Sequence, residues 1–295
     1  MHPRNKHQGK YHFSELIKAL PVLSKFITKT PGGEQSIDFS NPGAVKALNQ
    51  AILLKDYQLK YWDIPAGYLC PPIPGRAEYI HLMADLLSET KPNLQDSQIR
   101  CLDIGTGANC IYPILGAVEY NWDFVGSEID EKAIQNAREI ITKNSRLEGK
   151  IEIRHQPNSR DIFRGIIQEG EVFQLMFCNP PFFESASDAE EATNRKLTNL
   201  HLNTEKRNFG GKNHELWCTG GEEKFINDLA FQSKFFKDQV HWFSTLVSKK
   251  ENLKGLYKTL RKVKAVDIRT IKLDLGNKKS RIVAWTFQNP ANQKV

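Results

Sequence analysis

From residue 99 to residue 287, the sequence alternates between short apolar runs and segments with helical spacing. This alternation is the strongest constraint on the fold, because strands that are separated by helices form a parallel sheet with helices on both faces. Only Gly276–Ser280 separates the last two apolar runs, which is too short for a crossover, so we expect an antiparallel hairpin there. The sequence thus predicts an α/β fold with a mostly parallel, seven-stranded sheet. The predicted strands are Ile99–Ile104, Phe124–Ile129, Ile151–His155, Phe173–Asn179, His241–Ser248, Val266–Leu275 and Arg281–Phe287, and the predicted helices are Ile111–Tyr120, Glu131–Asn144, Asp161–Glu169, Glu222–Asp238 and Glu251–Val263.

The N-terminal part of the chain lacks this alternation. We expect residues 1–65 to form a small basic module that packs on an α/β domain of residues 66–295. A cap residue followed by proline in the first turn is typical of the start of a helix. A long stretch without periodicity is typical of a functional or mobile loop. The predicted landmarks are a helix from Ser40-Asn41-Pro42 to about Lys55, a linker at Pro65–Pro74, a helix at Gly75–Ser88 and a loop insertion at residues 184–221.

The composition excludes several classes of protein. Of the 295 residues, 40% are hydrophobic, which is enough for a large core. No run approaches the ~18 apolar residues of a membrane span, and charged residues and a proline interrupt Tyr11–Leu23, so we expect no signal peptide. The five cysteines, at positions 70, 101, 110, 178 and 218, form no C-x-x-C pair. This spacing suggests neither disulfides nor zinc, and a reducing cytoplasm fits best.

The net charge of +7 is concentrated at the two ends of the chain. Residues 1–29 contain six Lys and Arg residues against one acid, and residues 249–281 contain twelve against three, whereas the residues between them have a balance of −8. Two basic ends around an acidic middle suggest that a polyanion is bound from two sides, although Lys-rich surfaces can also serve solubility alone. We expect a basic arm that orders on binding at the N-terminus and a lysine stripe along the helix at Glu251–Val263. The candidate RNA-binding residues are Arg4, Lys6 and Lys10 in the arm, Lys212 in the loop, and Lys250, Lys254 and Lys258 along the stripe.

A glycine-rich turn follows the first strand of the α/β region. Gly105 and Gly107 let the backbone turn sharply and a ligand approach closely. A nicotinamide-binding fingerprint would have a third glycine at position 110, where this chain has Cys110. Asp103 places an acid beside the loop, which would repel a pyrophosphate but suits a ligand with an ammonium group, such as S-adenosylmethionine. An ordinary strand–turn–helix connection is the alternative.

Two further positions complete the predicted nucleoside pocket. Glu128 ends the second strand, where a carboxylate can accept hydrogen bonds from both ribose hydroxyls. After the third strand, residues Gln156–Ser159 lie where the adenine ring of the cofactor would bind. Several residues of this segment are candidates for that contact, with Ser159 among them.

The run Asn179-Pro180-Pro181-Phe182 directly follows the apolar strand Phe173–Cys178. Two prolines hold the backbone rigid, so the Asn179 side-chain oxygen and the Pro180 carbonyl can accept hydrogen bonds from one planar amino group. The ring of Phe182 can stack on the heterocycle that carries this amine. The run predicts methylation of an exocyclic amino nitrogen, with Asn179, Pro180 and Phe182 as catalytic residues. In isolation, the same run is also typical of a strand that ends in a proline-rich turn.

Four motifs stand out along the chain: Pro72-x-Pro74-x-Arg76, Leu102-Asp103-Ile104-Gly105-Thr106-Gly107, Cys178-Asn179-Pro180-Pro181-Phe182-Phe183 and Asn208-Phe209-Gly210-Gly211-Lys212-Asn213. Together they resemble the bacterial 23S ribosomal RNA adenine-N6-methyltransferases of the RlmF family and their eukaryotic relatives, over nearly the whole chain. The N-P-P-F and D-x-G-x-G motifs are shared by many methyltransferases, whereas C-P-x-x-P-x-R and F-G-G-K-N are far more particular.

This resemblance implies a fold, a reaction and a substrate. The fold would be that of a Rossmann-like class I methyltransferase, and the reaction would transfer a methyl group from S-adenosylmethionine to one adenine of 23S rRNA without a metal. Arg76 would bind the carboxylate of the cofactor, and Asn179 would contact the cofactor as well as the amine. We further expect a cytoplasmic monomer that acts on 23S rRNA or a large-subunit assembly intermediate and has no membrane partner.

Several alternatives remain open at this point. Enzymes that methylate a glutamine side chain in a protein use a similar Asn-Pro-Pro motif, usually followed by Tyr, and would not need two basic ends. A non-catalytic RNA-binding protein would not need the motif together with the glycine loop. Cys178 could attack a cytosine covalently, but its place in a buried strand favours an inert thiol. Phe183 could stack on the substrate RNA or belong to the core.

Overall fold

The computed structural model describes residues 1–90, 98–185, 213–275 and 278–288. The strands are β1 (Ile27–Lys29), β2 (Gln35–Ile37), β3 (Arg100–Ile104), β4 (Asp123–Glu128), β5 (Ile151–His155), β6 (Phe173–Cys178), β7 (Val240–Val247), β8 (Asp267–Leu275) and β9 (Lys278–Thr286). β1 and β2 form a small antiparallel sheet, and the other strands form a seven-stranded sheet in the order β5-β4-β3-β6-β7-β9-β8.

The helices cover both faces of the large sheet. Two of them begin with side-chain caps, since the Asn41 side chain accepts hydrogen bonds from Gly43 and Ala44, and Asp130 caps another helix in the same way. None of the helices within the described residues is both long and apolar enough to span a membrane. The α-helices of these residues are α1 (Phe13–Ala19), α2 (Pro42–Asp56), α3 (Ile73–Thr90), α4 (Ile111–Tyr120), α5 (Glu131–Thr142), α6 (Asn213–Leu216), α7 (Gly221–Ser233) and α8 (Asn252–Lys262), with 3-10 turns at Pro21–Phe26 and Lys234–Phe236.

The direction of the strands confirms the predicted fold class. β3 to β7 are parallel wherever they pair, and β9 is antiparallel to both β7 and β8. The strand order reverses at β3, which pairs with β4 on one side and with β6 on the other, and open α/β sheets bind ligands at such a point. The register places Ile104 opposite both Ser127 and Cys178. The glycine loop, Glu128 and Asn179 therefore emerge side by side at one edge of the sheet.

One predicted helix is wrong. Residues Asp161–Glu169 form turns and bends instead of a helix, and Gly165 lies there in the left-handed region at φ 79°. A left-handed residue breaks a right-handed helix, although the apolar side chains are spaced as a helix would require. The connection from β5 to β6 therefore crosses the sheet as irregular chain. Its apolar side chains are nevertheless buried against the sheet: Ile162, Phe163, Ile166 and Ile167.

A second helix is shorter than predicted. The sequence predicts Glu222–Asp238, whereas α7 ends at Ser233 and continues only as the 3-10 turn that ends at Phe236. The remaining predicted helices and strands lie at the expected places, with ends shifted by a few residues.

The N-terminal segment packs on the same hydrophobic core as α3, α4 and α5. Leu48 and Leu53 of α2 and the indole of Trp62 are buried in one cluster with residues of these helices. Trp62 Nε1 donates a hydrogen bond to the Asn109 carbonyl at 2.9 Å, which ties the segment to the chain just after the glycine loop. The boundary at residue 65 and the RNA-binding role of the module stay predictions.

The basic arm at the N-terminus is packed against the protein, so the expectation that it orders only on binding is wrong. Asn5 is 3% exposed, and its Nδ2 donates a hydrogen bond to Glu78 at 2.8 Å. His7 Nε2 lies 2.8 Å from the Tyr57 hydroxyl. Acidic partners far away in the sequence hold the arm in place. The ion pairs of the three candidate RNA-binding residues are Arg4–Asp85, Lys6–Glu119 at 2.6 Å and Lys10–Glu34.

The close packing of α4 on β4 leads to a stability prediction. A Cβ atom on Gly116 would lie 2.4 Å from Cε2 of the buried Phe124. Alanine favours a helix over glycine by up to about 1 kcal/mol, but overpacking a core costs about 1–3 kcal/mol. We therefore expect Gly116→Ala to lower the free energy of unfolding by about 1–2 kcal/mol, measured by urea denaturation.

Gly32→Ala is the matched control for this prediction. A Cβ atom on Gly32 would have only Thr30 Oγ1 within 4 Å, at 3.8 Å. We expect this variant to unfold at nearly the urea concentration of the unmodified protein. An equal loss in both variants would contradict the packing argument at Gly116.

Candidate active site

A cavity of about 330 Å³ lies at the carboxyl ends of β3, β4 and β6. The structure brings six of the predicted site residues to its wall: Arg76, Gly105, Gly107, Glu128, Ser159 and Asn179. Asp103, Pro180, Phe182 and Phe183 belong to the same strand ends but do not line this cavity. Sites for small ligands are typically clefts of about 300–1,000 Å³. The cavity is therefore large enough for a cofactor of small-molecule size.

The glycine loop is attached to the end of β4 by backbone hydrogen bonds. Gly105 and Gly107 lie in the left-handed region, at φ 73° and 66°, which favours glycine. The N–H groups of Gly105 and Thr106 both donate to the Ser127 carbonyl at 3.0 Å. Gly107 N–H donates to Glu128 Oε2 at 2.8 Å. The loop and the Glu128 carboxylate therefore form one rigid unit.

The Glu128 carboxylate is fixed by three N–H donors. Oε1 accepts hydrogen bonds from the backbone of Ile129 at 2.7 Å and of Asp130 at 3.0 Å, and Oε2 accepts the one from Gly107. A carboxylate oxygen can accept two hydrogen bonds, so Oε2 keeps one acceptor position. Glu128 is 8% exposed and lines the cavity. This position can accept a hydroxyl of a bound ligand.

Asp103 lies beneath the glycine loop. It is 1% exposed, and neither carboxylate oxygen has a hydrogen-bond partner among the described residues. The Thr106 hydroxyl donates to the Asp103 backbone carbonyl at 3.3 Å. Burial raises the pKa of the Asp103 carboxyl to about 7 and Glu128 adds to the rise, while Thr106 and Arg76 oppose it. A direct contact of Asp103 with a cofactor stays a prediction.

Arg76 connects helix α3 to the N-P-P-F motif. Its Nη1 donates hydrogen bonds to the Tyr112 hydroxyl at 2.8 Å and to Asn179 Oδ1 at 3.1 Å. The guanidinium also lies over the Tyr112 ring, 5.4 Å from its centroid. Arg76 is 8% exposed, so its charge is directed into the cavity wall and away from solvent. Asn179 is thereby oriented by a buried cation, a contact that the sequence did not reveal.

The last part of the predicted loop insertion packs along the end of the N-P-P-F motif. The N–H groups of Phe182 and Phe183 donate to the Leu216 carbonyl at 2.9 Å, and Cys218 N–H donates to the Phe183 carbonyl at 3.1 Å. Phe182 and Phe183 are both half-buried. Residues 216–218 therefore fix the backbone of both candidate stacking residues. Their contact with RNA stays a prediction.

Among the residues of the cavity wall that sequence reasoning missed are Glu215 and Trp217. Glu215 Oε2 accepts a hydrogen bond from Leu69 N–H at 2.7 Å, while Glu215 Oε1 and Trp217 Nε1 are buried without a partner among the described residues. Burial raises the pKa of Glu215 to about 7, and the neighbouring Glu128 adds to the rise. Both residues closely follow the F-G-G-K-N motif in the sequence. This proximity is the sequence feature that could have pointed to a place for them in the site.

The segment that the sequence predicts beside the cofactor adenine does reach the cavity. Ser159 and Gln156 both line it, with Ser159 exposed and Gln156 6% exposed. The Gln156 side chain is held by Arg164 and Asn158 at 2.9 and 3.1 Å. Ser159 therefore has the freer side chain of the two, and its cofactor contact stays a prediction.

Cys178 lies in the core, as the interpretation of an inert thiol requires. It is 1% exposed, and burial raises the pKa of its thiol well above the ordinary range, so the nucleophilic thiolate is disfavoured. Within the described ranges, no group of three or more His, Cys, Asp and Glu side chains is arranged to hold a metal ion.

The predicted lysine stripe is exposed. Lys250, Lys254 and Lys258 lie at the surface, while Leu256 and Leu260 bury the other face of α8. Lys250 follows the carboxyl end of β7, which is parallel to β6, so this helix begins at the same edge of the sheet as the cavity. Lys212 and most of the predicted loop lie outside the described residues.

Comparison with known sequences identifies the family. A family model described as RNA methyltransferase matches residues 1–289. The ribosomal RNA large subunit methyltransferase F of Vibrio cholerae is 50% identical over 308 residues, which cover 100% of this chain and 85% of that protein. The protein of the same name from Bacteroides thetaiotaomicron is 49% identical over 299 residues, which cover 97% of each chain.

Solved structures of human METTL16 share the fold. Its catalytic domain in complex with MAT2A 3'UTR hairpin 1 has a TM-score of 0.83 at 30% identity and covers 98% of this chain and 96% of that one. Its N-terminal domain in complex with SAH has a TM-score of 0.79 at 26% identity and covers 98% of each. From the family match, the sequence identities and the shared Rossmann-like fold, the chain belongs to the RNA methyltransferase family, together with the ribosomal RNA large subunit methyltransferase F proteins.

Proposed function

We propose that this protein transfers a methyl group from S-adenosylmethionine to the N6 amine of one adenine in 23S rRNA. The observation that carries the proposal is the position of Asn179, which directly follows β6 at the cavity wall and is oriented there by Arg76. The relatives named for the large ribosomal subunit support rRNA as the substrate class. Either the free RNA or a large-subunit assembly intermediate can present the adenine, and we propose that the protein acts as a cytoplasmic monomer.

The cavity fits S-adenosylmethionine in its size and in its charges. The Arg76 guanidinium suits the carboxylate of the cofactor, and the free acceptor position of Glu128 suits a ribose hydroxyl. The acidic wall, with Glu128 and Glu215, favours a ligand with positive charge and disfavours a phosphate. A solved relative, human METTL16, was crystallised with SAH, which supports the same class of cofactor here. S-adenosylmethionine supplies a methyl group that its sulfonium already activates.

The residues of the N-P-P-F motif would align the amine. The lone pair of an adenine amine is delocalised into the ring, so the protein must hold both N–H bonds and aim the nitrogen. The Asn179 side-chain oxygen has a second lone pair besides the one that accepts from Arg76, and the Pro180 carbonyl is the other proposed acceptor. Catalysis of this kind depends on alignment and electrostatics and needs no general base.

The adenine must leave its stack before it can reach the cavity. We propose that Phe182, together with Phe183, compensates for the lost stacking with an aromatic contact. Both residues are half-buried, and their backbone is hydrogen-bonded to residues 216–218. The backbone that carries the two rings is therefore fixed in position.

The RNA backbone would bind mainly at α8. Lys250, Lys254 and Lys258 are exposed and begin at the same edge of the sheet as the cavity. Arg4, Lys6 and Lys10 are engaged in ion pairs with acidic residues, so we expect each of them to contribute less than a lysine of the stripe. We retain them, with Lys212, as secondary RNA contacts of the proposed N-terminal module and loop.

We expect Asn179→Ala to abolish methyl transfer while RNA binding stays nearly unchanged, because the side chain aligns the amine but contacts no phosphate. The assay mixture contains methyl-labelled S-adenosylmethionine, a 23S rRNA fragment and a release-factor protein. The label that enters the RNA and the label that enters the protein are measured separately. RNA affinity is measured separately by filter binding.

Cys178→Ala is the matched control, since it changes the preceding residue of the same strand. We expect this variant to keep most of the transfer activity, which would also exclude a covalent role of the thiol. Undiminished transfer by Asn179→Ala would contradict the mechanism, and label in the release factor instead of the RNA would contradict the substrate.

We expect the double variant Lys254→Glu, Lys258→Glu to weaken RNA binding and to reduce its salt dependence. Each lost phosphate contact lowers the slope of log K against log salt by about 0.7–0.9, so the change should be about 1.4–1.8. The affinity is measured at several salt concentrations.

The double variant Lys234→Glu, Lys237→Glu carries the same change of charge on the other edge of the sheet, before the amino end of β7. We expect its salt slope to stay close to that of the unmodified protein. Equal slopes in the two double variants would contradict a specific role of α8.

A further inference from the structure

The segment Glu215–Trp217 presents two unsatisfied polar atoms to the cavity. Glu215 Oε1 and Trp217 Nε1 are fully buried, and neither completes a hydrogen bond of normal geometry among the described residues, although the Ala108 N–H is close enough to lower the pKa of the Glu215 carboxyl. One atom is an acceptor and the other is a donor, so they call for a ligand that carries both kinds of group. Both residues line the cavity at the strand ends.

The position of the Glu215 carboxylate is well defined. Its Oε2 is anchored by Leu69 N–H at 2.7 Å, which fixes the carboxylate between the proline-rich linker and the glycine loop. Its Oε1 lies 3.1 Å from the place that a Cβ atom on Gly107 would occupy. Gly107 N–H in turn binds Glu128. Glu215 and Glu128 therefore flank the same glycine at the cavity wall.

This arrangement is electrostatically unfavourable for the protein alone. Burial disfavours the charged form of Glu215, and the carboxylates of Glu128 and Asp130 act in the same direction, while the N–H groups of Leu69 and Ala108 oppose this effect. A buried acceptor without a donor is also costly. Side chains that lower the stability of the free protein in this way are typical of ligand sites, where the ligand supplies the missing donor.

We propose that Glu215 is a cofactor-binding residue, whose Oε1 accepts a hydrogen bond from a donor group of the cofactor. Two groups of S-adenosylmethionine can supply the donor, a ribose hydroxyl or the α-ammonium group. This inference rests on the proposed function, since it assumes that S-adenosylmethionine binds in the cavity.

The contact would also connect the cofactor to the N-P-P-F motif. The next residue, Leu216, accepts the N–H groups of Phe182 and Phe183, and Cys218 donates to Phe183. A cofactor that holds Glu215 therefore holds the segment that fixes both aromatic rings. Glu215 thus acts as a positioning residue for Phe182 and Phe183 as well as a ligand of the cofactor.

The test is Glu215→Gln, with the affinity for S-adenosylhomocysteine measured by calorimetry and the unfolding midpoint measured without cofactor. The Gln carbonyl oxygen keeps the Leu69 hydrogen bond, but its NH2 group places a donor where the cofactor needs an acceptor. We expect the affinity to fall at least tenfold, while the midpoint stays equal or rises because a buried charge is removed. Glu223→Gln, an exposed carboxylate on α7, is the control and should change neither quantity.

Methylthioadenosine distinguishes the two donor groups, because it has the ribose but lacks the amino-acid part. A loss of affinity that persists with this ligand assigns the contact to the ribose, and a loss that disappears assigns it to the ammonium. Equal affinity of Glu215→Gln and the unmodified protein for S-adenosylhomocysteine overturns the inference alone, as does a variant that loses stability together with affinity. Failure of the unmodified protein to bind S-adenosylhomocysteine overturns the proposed function and the inference with it.

Discussion

The hydrogen bonds between the glycine loop and the end of β4 are the interaction on which the rest of the site depends. The Ser127 carbonyl accepts the N–H groups of Gly105 and Thr106, and the Glu128 carboxylate accepts that of Gly107. These bonds join the ends of two neighbouring parallel strands and require left-handed backbone at both glycines. The cavity floor and the Glu128 carboxylate are thereby positioned before any ligand binds. Such preorganisation lowers the cost of binding, because less has to be ordered later.

Arg76 fixes the position of the residues on the other side of the cavity. It lies in the first turns of α3 and reaches Asn179, which is 103 residues away in the sequence. Tyr112 of α4 supports the guanidinium both as a hydrogen-bond acceptor and as an aromatic surface. A helix that follows the proline-rich linker, a helix that follows the glycine loop and the N-P-P-F strand therefore meet at one buried cation. Loss of the Tyr112 hydroxyl or of the Asn179 side chain would leave the buried guanidinium with one hydrogen-bond partner fewer, which is unfavourable.

The sequence predicts the elements that depend on local pattern and misses the contacts that depend on tertiary structure. Periodicity and strand-end residues predict the sheet, the reversed last strand and several residues at the cavity wall, whereas Arg76 is predicted only from the family resemblance. The same periodicity suggests a helix at Asp161–Glu169, where a single left-handed residue, Gly165, prevents one. Arg4 looks free in the sequence, because its partner Asp85 is 81 residues away. Glu215 has no periodicity or motif of its own, and only the folded chain shows that its carboxylate is buried against the glycine loop.

The charges of the cavity and of the surface are opposite, and this separation bears on how RNA would approach. Glu128 and Glu215 give the cavity wall an acidic character, whereas α8 presents Lys254 and Lys258 to solvent near the same edge of the sheet. A phosphate group is repelled by the cavity and attracted by the helix, while a neutral base meets no such repulsion. In the proposed function, α8 therefore holds the backbone outside, and the cavity admits only a base that has left its stack. The same carboxylates attract the positively charged methyl donor, so one acidic wall would serve both to bind the cofactor and to exclude the RNA backbone.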